Sequence, residues 1–417
     1  MTGASPLDAG EALPATANAT GETTDSRWVA VVAALILVGT ALRPQALIIG
    51  PLVGKVQADL GMSHGIAGLL STIPVLCMGL LAPFGPVLAA SIGPKLGATI
   101  CVLLVGVFGV ARGLLPDTFT VLLATVGIGV GMAVVGPILP MIVRARLPKQ
   151  PAAGTGAYVV GFVIGGTITA AVAVPLADAF GGWRGAFVIV SSAAFVSMAA
   201  WVWLMPRDAG HVRVMPKLPR LPWRRPSAWL LGLIFGSQSI LFYGCITWLA
   251  SAQIERGWTA AQAGSLVALL TGVGLIATLA VPVLADRFGT RRSQLTIAGL
   301  LSVGGALVIA LSSAEPPGSI VIYAATALLG LGIGGYFPLA LTLPVDVASD
   351  ADDAASISAL MLLIGYALAA TAPVVLGLVR DATGNFVGVL WVLVGVAAAM
   401  IPLAIALNPA RLRRAGG

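Results

Sequence analysis

Arg43 is a charged residue inside a long apolar stretch, residues 28–50. A helix that starts near Trp28 places Arg43 about 22 Å along its axis, at about 1.5 Å per residue. A charge at this depth of a bilayer is costly unless it faces protein or water, so we expect Arg43 to face a polar cavity. The alternative is an arginine near the end of the helix that reaches the lipid headgroups. A planar guanidinium suits an anion or a nitro group, and Gln45, on a different face of the helix, is a weaker candidate.

Polar and aromatic side chains in other apolar stretches extend this candidate site. Four of them lie in one stretch: Gln238, Ser239, Tyr243 and Trp248. Ser239 and Tyr243 are four residues apart and therefore share one face of a helix. Three tyrosines lie in separate stretches: Tyr158, Tyr336 and Tyr366. We expect these groups to line a substrate cavity with Arg43; the alternatives are hydrogen bonds between helices and simple packing of the tyrosine rings.

The sequence predicts no catalytic residues, no metal site and no cofactor. The three cysteines all lie in apolar stretches: Cys77, Cys101 and Cys245. An odd number of cysteines in such surroundings argues against a disulfide framework and against a metal site. An enzyme embedded in the membrane would need clustered His, Asp or Glu at membrane depth, and no Asp or Glu lies within a predicted span. These observations exclude most enzyme classes.

Membrane-spanning helices are the elements that must position these residues. Charged residues are 9% of the 417-residue chain and hydrophobic residues are 58%, which leaves too little polar surface for a soluble protein. A spanning helix needs about 20 apolar residues. Twelve stretches meet this requirement: 28–50, 64–90, 96–111, 118–143, 152–177, 185–205, 227–254, 257–285, 293–314, 316–345, 354–379 and 382–407. The sequence therefore predicts an all-α polytopic membrane protein with twelve transmembrane helices.

The basic residues give these helices an orientation. If the chain alternates through twelve spans, seventeen of the 23 Lys and Arg residues fall on the side of the termini, and Arg43 lies within the first span. The five on the opposite side are Lys55, Arg112, Arg184, Arg256 and Arg380. Because cytoplasmic loops carry an excess of Lys and Arg, both termini are predicted to face the cytoplasm at the inner (plasma) membrane. The net charge of +7 is then a topology signal, and no nucleic-acid partner is expected.

An internal repeat divides the chain into two parallel halves. At a shift of 196 residues, five positions of the first half meet similar residues of the second: Pro86, Leu88, Ala89, Gly93 and Lys95 meet Pro282, Leu284, Ala285, Gly289 and Arg291. The predicted organisation is a disordered cytoplasmic tail over 1–26, a six-helix bundle over 27–205, a cytoplasmic linker over 206–226, a second six-helix bundle over 227–408 and a tail over 409–417. Parallel halves suit a transporter with a central cavity.

The loop that closes the predicted eighth helix carries a recognisable motif. Residues 281–292, Val-Pro-Val-Leu-Ala-Asp-Arg-Phe-Gly-Thr-Arg-Arg, resemble the G-x-x-x-D-R-x-G-R-R signature of the major facilitator superfamily, with valine in place of the first glycine. This resemblance, which covers the whole chain, implies the major facilitator fold of two pseudo-symmetric bundles. It also implies a gating role for four residues: Asp286, Arg287, Gly289 and Arg291.

A narrower resemblance runs through the first two helices. Leu42-Arg43-Pro44, Gly50-Pro51-Leu52, residues 59–63 (Asp-Leu-Gly-Met-Ser) and residues 67–74 (Ala-Gly-Leu-Leu-Ser-Thr-Ile-Pro) are similar to the cyanate transporter and 2-nitroimidazole transporter family. The resemblance implies a secondary active transporter, a symporter or antiporter, that moves a small polar or anionic solute by alternating access. The alternatives are a transporter-like membrane sensor or scaffold, and a drug or metabolite exporter of broader specificity. A coupling proton or ion is a candidate partner, and a monomer is expected.

Two loops of opposite charge suggest a second gating element. Arg144 and Arg146 follow the fourth predicted helix, and Asp346 and Asp350 follow the tenth, its repeat partner. We expect these loops to form a latch that closes the cytoplasmic side. The alternative is two solvated loops, because exposed ion pairs stabilise a structure by only about 0–1 kcal/mol each.

Overall fold

The computed structural model describes residues 19–206, 221–287, 291–312 and 315–407. The N half contains nine helices: α1 (Ala19–Leu42), α2 (Pro44–Leu47), α3 (Ile49–Leu60), α4 (His64–Leu81), α5 (Phe84–Ile92), α6 (Pro94–Leu114), α7 (Thr118–Arg146), α8 (Pro151–Ala179) and α9 (Trp183–Leu204). The C half contains six: α10 (Pro226–Glu255), α11 (Ala260–Arg287), α12 (Arg291–Leu311), α13 (Ile320–Val347), α14 (Ala351–Thr383) and α15 (Val387–Ala406).

Twelve helices of the described part of the chain are long and apolar enough to cross a membrane, as predicted. The first two predicted spans are interrupted. The first is divided into α1, α2 and α3 at Arg43 and Ile48, and the second into α4 and α5 at Ala82 and Pro83. Because proline lacks an N–H and its ring clashes with the preceding turn, Pro44 and Pro83 account for two of these breaks.

The helices begin and end at residues that satisfy their terminal backbone groups. Ser63 caps α4 by accepting a hydrogen bond from the Ile66 backbone N–H (3.2 Å), and Asp117 caps α7 by accepting one from Thr120 (3.0 Å). Gly61 ends α3 in the left-handed conformation, with φ of 64°, which glycine adopts without steric cost. These caps fix short turns between antiparallel neighbours.

The two halves pack chiefly through α4 with α14 and α8 with α11, and also through α3 with α10 and α11. We call the end of the bundle at which α1 begins and α15 ends the terminal end. The opposite end, which holds the α3–α4, α10–α11 and α14–α15 turns, is the far end. At the far end the backbones touch, since a Cβ added at Gly50 of α3 would collide with the Ile246 carbonyl oxygen of α10.

Several predicted boundaries differ from the structure. Helix α1 begins at Ala19, so residues 19–26 of the predicted disordered tail are helical, while residues 1–18 lie outside the described part. Of the predicted linker over 206–226, residues 207–220 lie outside the described part and Pro226 begins α10. The predicted tail over 409–417 also lies outside it. Arg112, predicted on the surface opposite the termini, instead lies within the spanning helix α6 and is fully buried. Arg43 is therefore not the one charge inside a span.

Candidate functional site

The break between α1 and α2 places Arg43 at the centre of the bundle. Pro44 cannot donate a backbone hydrogen bond, and the chain re-forms a short turn in which Ala46 and Leu47 donate to the Arg43 carbonyl oxygen at 3.1 and 3.3 Å. Helix α8 supports this region closely. A Cβ added at Gly165 of α8 would lie 2.5 Å from the Thr40 carbonyl oxygen. The backbone just before Arg43 is therefore held in place.

The Arg43 side chain extends from the N half to the C half. Its Nη1 lies 3.4 Å from the Tyr243 hydroxyl oxygen, and its Cζ lies 5.3 Å from the centre of the Phe242 ring. The second of these is a cation–π distance. The Tyr243 hydroxyl also lies 3.9 Å from Sδ of Met78, which belongs to α4 of the N half. Arg43 itself is half-buried, so its guanidinium lies between the two halves without being fully enclosed by them.

Tyr366 of α14 completes this central group. It is half-buried and lies near Arg43 and Tyr243. The Phe235 ring packs edge-on against the Tyr366 ring, with centroids 5.2 Å apart. The structure thus brings together Arg43, Tyr243 and Tyr366, three of the predicted substrate-binding residues. Their aromatic faces and one guanidinium fit a flat or linear solute with a negative or nitro group.

The other predicted substrate-binding residues lie in separate places. The Ser239 hydroxyl donates to the Gln238 side-chain oxygen at 3.1 Å, and the Gln238 amide donates to the Ile333 carbonyl oxygen at 3.3 Å. The Tyr336 hydroxyl donates to the Met400 carbonyl oxygen at 3.3 Å. These bonds stay within the C half. Tyr158 packs edge-on against Phe162 within α8.

Trp248 lies toward the far end, where it joins α10 to α14 within the C half. Its indole N–H donates to the Pro373 carbonyl oxygen of α14 at 2.8 Å, and its side chain is fully buried. A substrate-binding role for Trp248 stays a prediction, as it does for the residues of the preceding paragraph.

Gln45 belongs to a cluster inside the N half. Its amide N–H donates to the Ser191 hydroxyl oxygen at 3.1 Å, and its backbone and side-chain oxygens accept from Arg112 Nη2 at 3.3 and 3.2 Å. The Arg112 guanidinium lies 4.5 Å from the Phe187 ring centre. Sequence reasoning missed Arg112 because its apolar stretch ends just before it, and missed Ser191 because it has no distinguishing pattern.

Hydrogen bonds to Asp381 join the halves at the far end. Asp381 of α14 accepts hydrogen bonds from the backbone N–H groups of His64 and Gly65 at 3.0 and 2.9 Å, and lies 2.7 Å from His64 Nδ1. A carboxylate at a helix N-terminus is favourable because the first amides are otherwise unpaired and the helix dipole is positive there. The Trp248 and Phe386 rings each lie 5.7 Å from the His64 ring. No sequence signal singled out Asp381, which is 317 residues from His64.

Charged groups at the terminal end have partners within their own half. Asp346 pairs with Arg291 at 3.0 Å, Asp350 caps α14, and Arg146 donates to the Pro206 carbonyl oxygen at 3.2 Å. Arg144 is exposed. The latch between these loops stays a prediction. Of the predicted gating loop, Gly289 and the side chains of Asp286 and Arg287 lie outside the described part of the chain.

Comparison with known proteins gives one family. The model of the Major Facilitator Superfamily matches residues 29–373. The uncharacterized transporter YycB of Bacillus subtilis (strain 168) is 31% identical over 361 residues, which cover 85% of this chain and 88% of that protein. Two proteins of Escherichia coli (strain K12) are similar. The cyanate transport protein CynX is 30% identical over 84% of this chain and 90% of its own. The 2-nitroimidazole transporter is 28% identical over 86% of this chain and 90% of its own.

Solved structures share the fold. A bacterial homolog of the human lysosomal transporter Spinster superposes with a TM-score of 0.69 at 19% identity, covering 94% of this chain and 95% of that one. The nucleoside transporter NupG superposes with a TM-score of 0.71 at 11% identity, covering 92% and 99% of the two chains. At these identities the likeness is one of architecture.

Proposed function

Since the chain belongs to the Major Facilitator Superfamily, whose members are transporters and not enzymes, we propose that it is a secondary transporter for a small polar or anionic solute held beside Arg43. The observation that carries the proposal is the reach of Arg43 across the midline to Tyr243, at 3.4 Å. A solute bound to a permanently charged group between the two halves would contact both halves at once. Binding there is therefore linked to how the halves meet.

We propose a cyanate-like anion or a nitro-heterocycle as the substrate class. The names of two relatives, a cyanate transport protein and a 2-nitroimidazole transporter, motivate this choice. The side chains around Arg43 support it. A guanidinium donates two parallel hydrogen bonds to a nitro group or a small anion, and the rings of Phe242, Tyr243 and Tyr366 offer faces on which a flat heterocycle would stack.

Alternating access is part of the proposal. The described contacts between the halves lie at the far end and around the centre, from Gly50 to the Gly79–Tyr366 contact. The helix α5, toward the terminal end, packs on α6 and α7 of its own half. We propose that the halves rock about the central layer, that the solute enters this conformation from the terminal end, and that this end faces the cytoplasm at the inner membrane.

Coupling to a proton or ion and a monomeric state complete the proposal. Three acids at the far end each pair with a cation of their own half: Asp178 with Lys55, Asp59 with Arg184 and Glu255 with Arg380. Such pairs persist when the halves separate. They are therefore poor candidates for a proton site that changes between conformations.

Uptake into proteoliposomes tests this function. Purified protein is reconstituted, and uptake of labelled cyanate and 2-nitroimidazole is compared with that of nitrate and a sugar, with and without a pH gradient. Saturable uptake or exchange of cyanate or 2-nitroimidazole supports the proposal. Transport of many unrelated solutes indicates an exporter of broad specificity, and binding without transport indicates a sensor; either result contradicts the proposal.

A further inference from the structure

Arg112 is buried without a carboxylate. None of its surface is exposed, and no acidic residue of the described chain pairs with it. Two of its three nitrogen atoms, Nε and Nη1, have no hydrogen-bond partner within the described residues. Removing a guanidinium from water is costly, and an apolar side chain of similar volume would fill the same space without that cost. We therefore expect Arg112 to have a role that needs its hydrogen-bond donors and that an apolar side chain could not fill.

Its remaining nitrogen is bonded to a single residue. Nη2 donates to both the backbone oxygen and the side-chain oxygen of Gln45, at 3.3 and 3.2 Å. The Ser191 hydroxyl holds the same amide from α9, 3.1 Å from Gln45 Nε2. Gly109 provides the room for this cluster, because a Cβ there would lie 2.5 Å from Ser191 Oγ and 3.0 Å from Gln45 Oε1. Two helices of the N half, α6 and α9, thus form hydrogen bonds to Gln45.

Gln45 lies in a stretch of chain that needs such an anchor. Pro44 and Pro51 both lack a backbone N–H, and the helix is interrupted at Arg43 and again at Ile48. The four-residue helix α2 between these breaks is a single turn, closed by three backbone hydrogen bonds from Ala46, Leu47 and Ile48. Unless side chains from neighbouring helices hold it, its orientation is weakly determined.

Arg43 and Gln45 point in opposite directions from this segment. Residues two apart in a helical turn do not share a face. Here Arg43 reaches Tyr243 in the C half while Gln45 reaches Arg112 in the N half. A rotation of α2 that released Gln45 would carry Arg43 away from the centre.

We propose that Arg112 is a positioning residue, which acts through Gln45 to hold α2 against the N half and so fixes the place of Arg43 between the two halves. This inference rests on the proposed binding role of Arg43. It assigns Arg112 no contact with the solute.

A double-mutant cycle tests the link. Affinity for 2-nitroimidazole and for cyanate is measured by calorimetry for the unaltered protein, Arg112→Met, Arg43→Gln and the double variant. Arg112→Met is expected to weaken binding about tenfold, and to have less than about a twofold effect when Arg43 is already replaced. Equal effects of Arg112→Met in both backgrounds would overturn the inference, because Arg112 would then act independently of Arg43.

Hydrogen exchange gives a second readout that needs no solute. Exchange of the backbone amides over residues 45–50 is expected to be at least about tenfold faster in Arg112→Met. Ser191→Ala, a milder change that removes one bond to Gln45, is expected to give a smaller increase in the same segment, and it replaces Arg112→Met if that variant does not fold. Unchanged exchange in these variants would contradict the inference.

Arg184→Met is the matched control. Arg184 lies in the same half, pairs with Asp59 near the end of α3 and donates to the Leu115 and Pro116 carbonyl oxygens just after α6. It has no described bond to α2. It is expected to leave affinity and the exchange of residues 45–50 unchanged. If Arg43→Gln retains full affinity, the proposed function fails; if Arg43→Gln loses affinity while Arg112→Met changes neither affinity nor exchange, only this inference fails.

Discussion

At the far end of the bundle described bonds join the two halves, whereas the ion pairs described at the terminal end, Arg225 with Asp353 and Arg291 with Asp346, lie within one half. Asp381 of the C half caps α4 of the N half and pairs with His64. At the terminal end, Asp346 pairs with Arg291 of the same half. A bond within one half survives a movement of the halves, and a bond between them does not. The far end is therefore where sequence changes should alter the balance between conformations.

Spin labels placed at Phe119 and Ile320 would report on that balance. These residues begin α7 and α13 at the far end of the two halves and are 73% and 78% exposed. The half-buried Cys77 is replaced by alanine for labelling, while Cys101 and Cys245 are buried. The distribution of distances between the labels, measured by pulsed electron spin resonance, gives the fraction of molecules in which the far end is closed.

Gly50→Ala is expected to have the largest effect. The added Cβ collides with the Ile246 backbone oxygen, and backbone cannot move aside as a flexible side chain does. We expect the far-closed state to lose about 3 kcal/mol, so that long distances between the labels dominate. Gly54→Ala, in the same helix α3 but with nothing within 4 Å of its Cβ position, is the control. Equal distance distributions for the two variants would contradict the packing described here.

Asp381→Ala should have the next largest effect. It removes the acceptor of two backbone N–H groups and the partner of His64 across the halves, at an expected cost of about 2 kcal/mol to the far-closed state. Asp178→Ala is the matched change at the same end, because Asp178 pairs with Lys55 of its own half. A shift of similar size in the Asp178 variant would show that the cross-half location of the bonds does not matter.

Thr72→Val isolates one uncharged bond between the halves. The Thr72 hydroxyl donates to the Ala370 carbonyl oxygen of α14 at 2.6 Å, so its loss should cost the far-closed state about 1 kcal/mol. The Thr99 hydroxyl bonds within its own helix, and Thr99→Val should leave the label distances unchanged. Unchanged label distances for Thr72→Val would show that this hydrogen bond does not stabilise the far-closed state.

Neutralising Asp346 and Asp350 together should have the smallest effect. If the predicted latch forms when the terminal end closes, the double Asp→Asn change moves the balance toward the far-closed state. The expected shift is below about 1 kcal/mol, because exposed pairs contribute little. The measurement is the same distance distribution, taken at low salt where screening is weakest. An unchanged distribution of label distances would contradict the predicted latch.

The helices were predictable from sequence because their signal is local. Twenty apolar residues and the excess of basic residues on one side need no knowledge of packing, and Pro44 marks a break within the first span. Arg112 was not predictable in the same way. It stands at the end of an apolar stretch, and its burial depends on Gln45, Ser191 and Phe187, which come from other helices.

The candidate site was predicted only in part, for a related reason. Arg43 and Tyr243 fall opposite each other because the repeat relates their two helices. The repeat also aligns Ser239 with Arg43, since they are 196 residues apart, but the Ser239 hydroxyl donates to Gln238. Helical spacing identifies a face of a helix, yet the side-chain partner decides which polar groups remain available to a solute. His64 and Asp381 meet only in the folded chain.

Binding of 2-nitroimidazole and cyanate to Arg43 variants tests the central claim most directly. Calorimetry compares the unaltered protein with Arg43→Lys and Arg43→Ala, and size-exclusion profiles confirm that each is folded. Arg43→Ala is expected to lose about a hundredfold or more in affinity, and Arg43→Lys, which keeps the charge without the planar fork, should lie between the two. Affinity in Arg43→Ala equal to that of the unaltered protein would contradict the claim that Arg43 holds the solute.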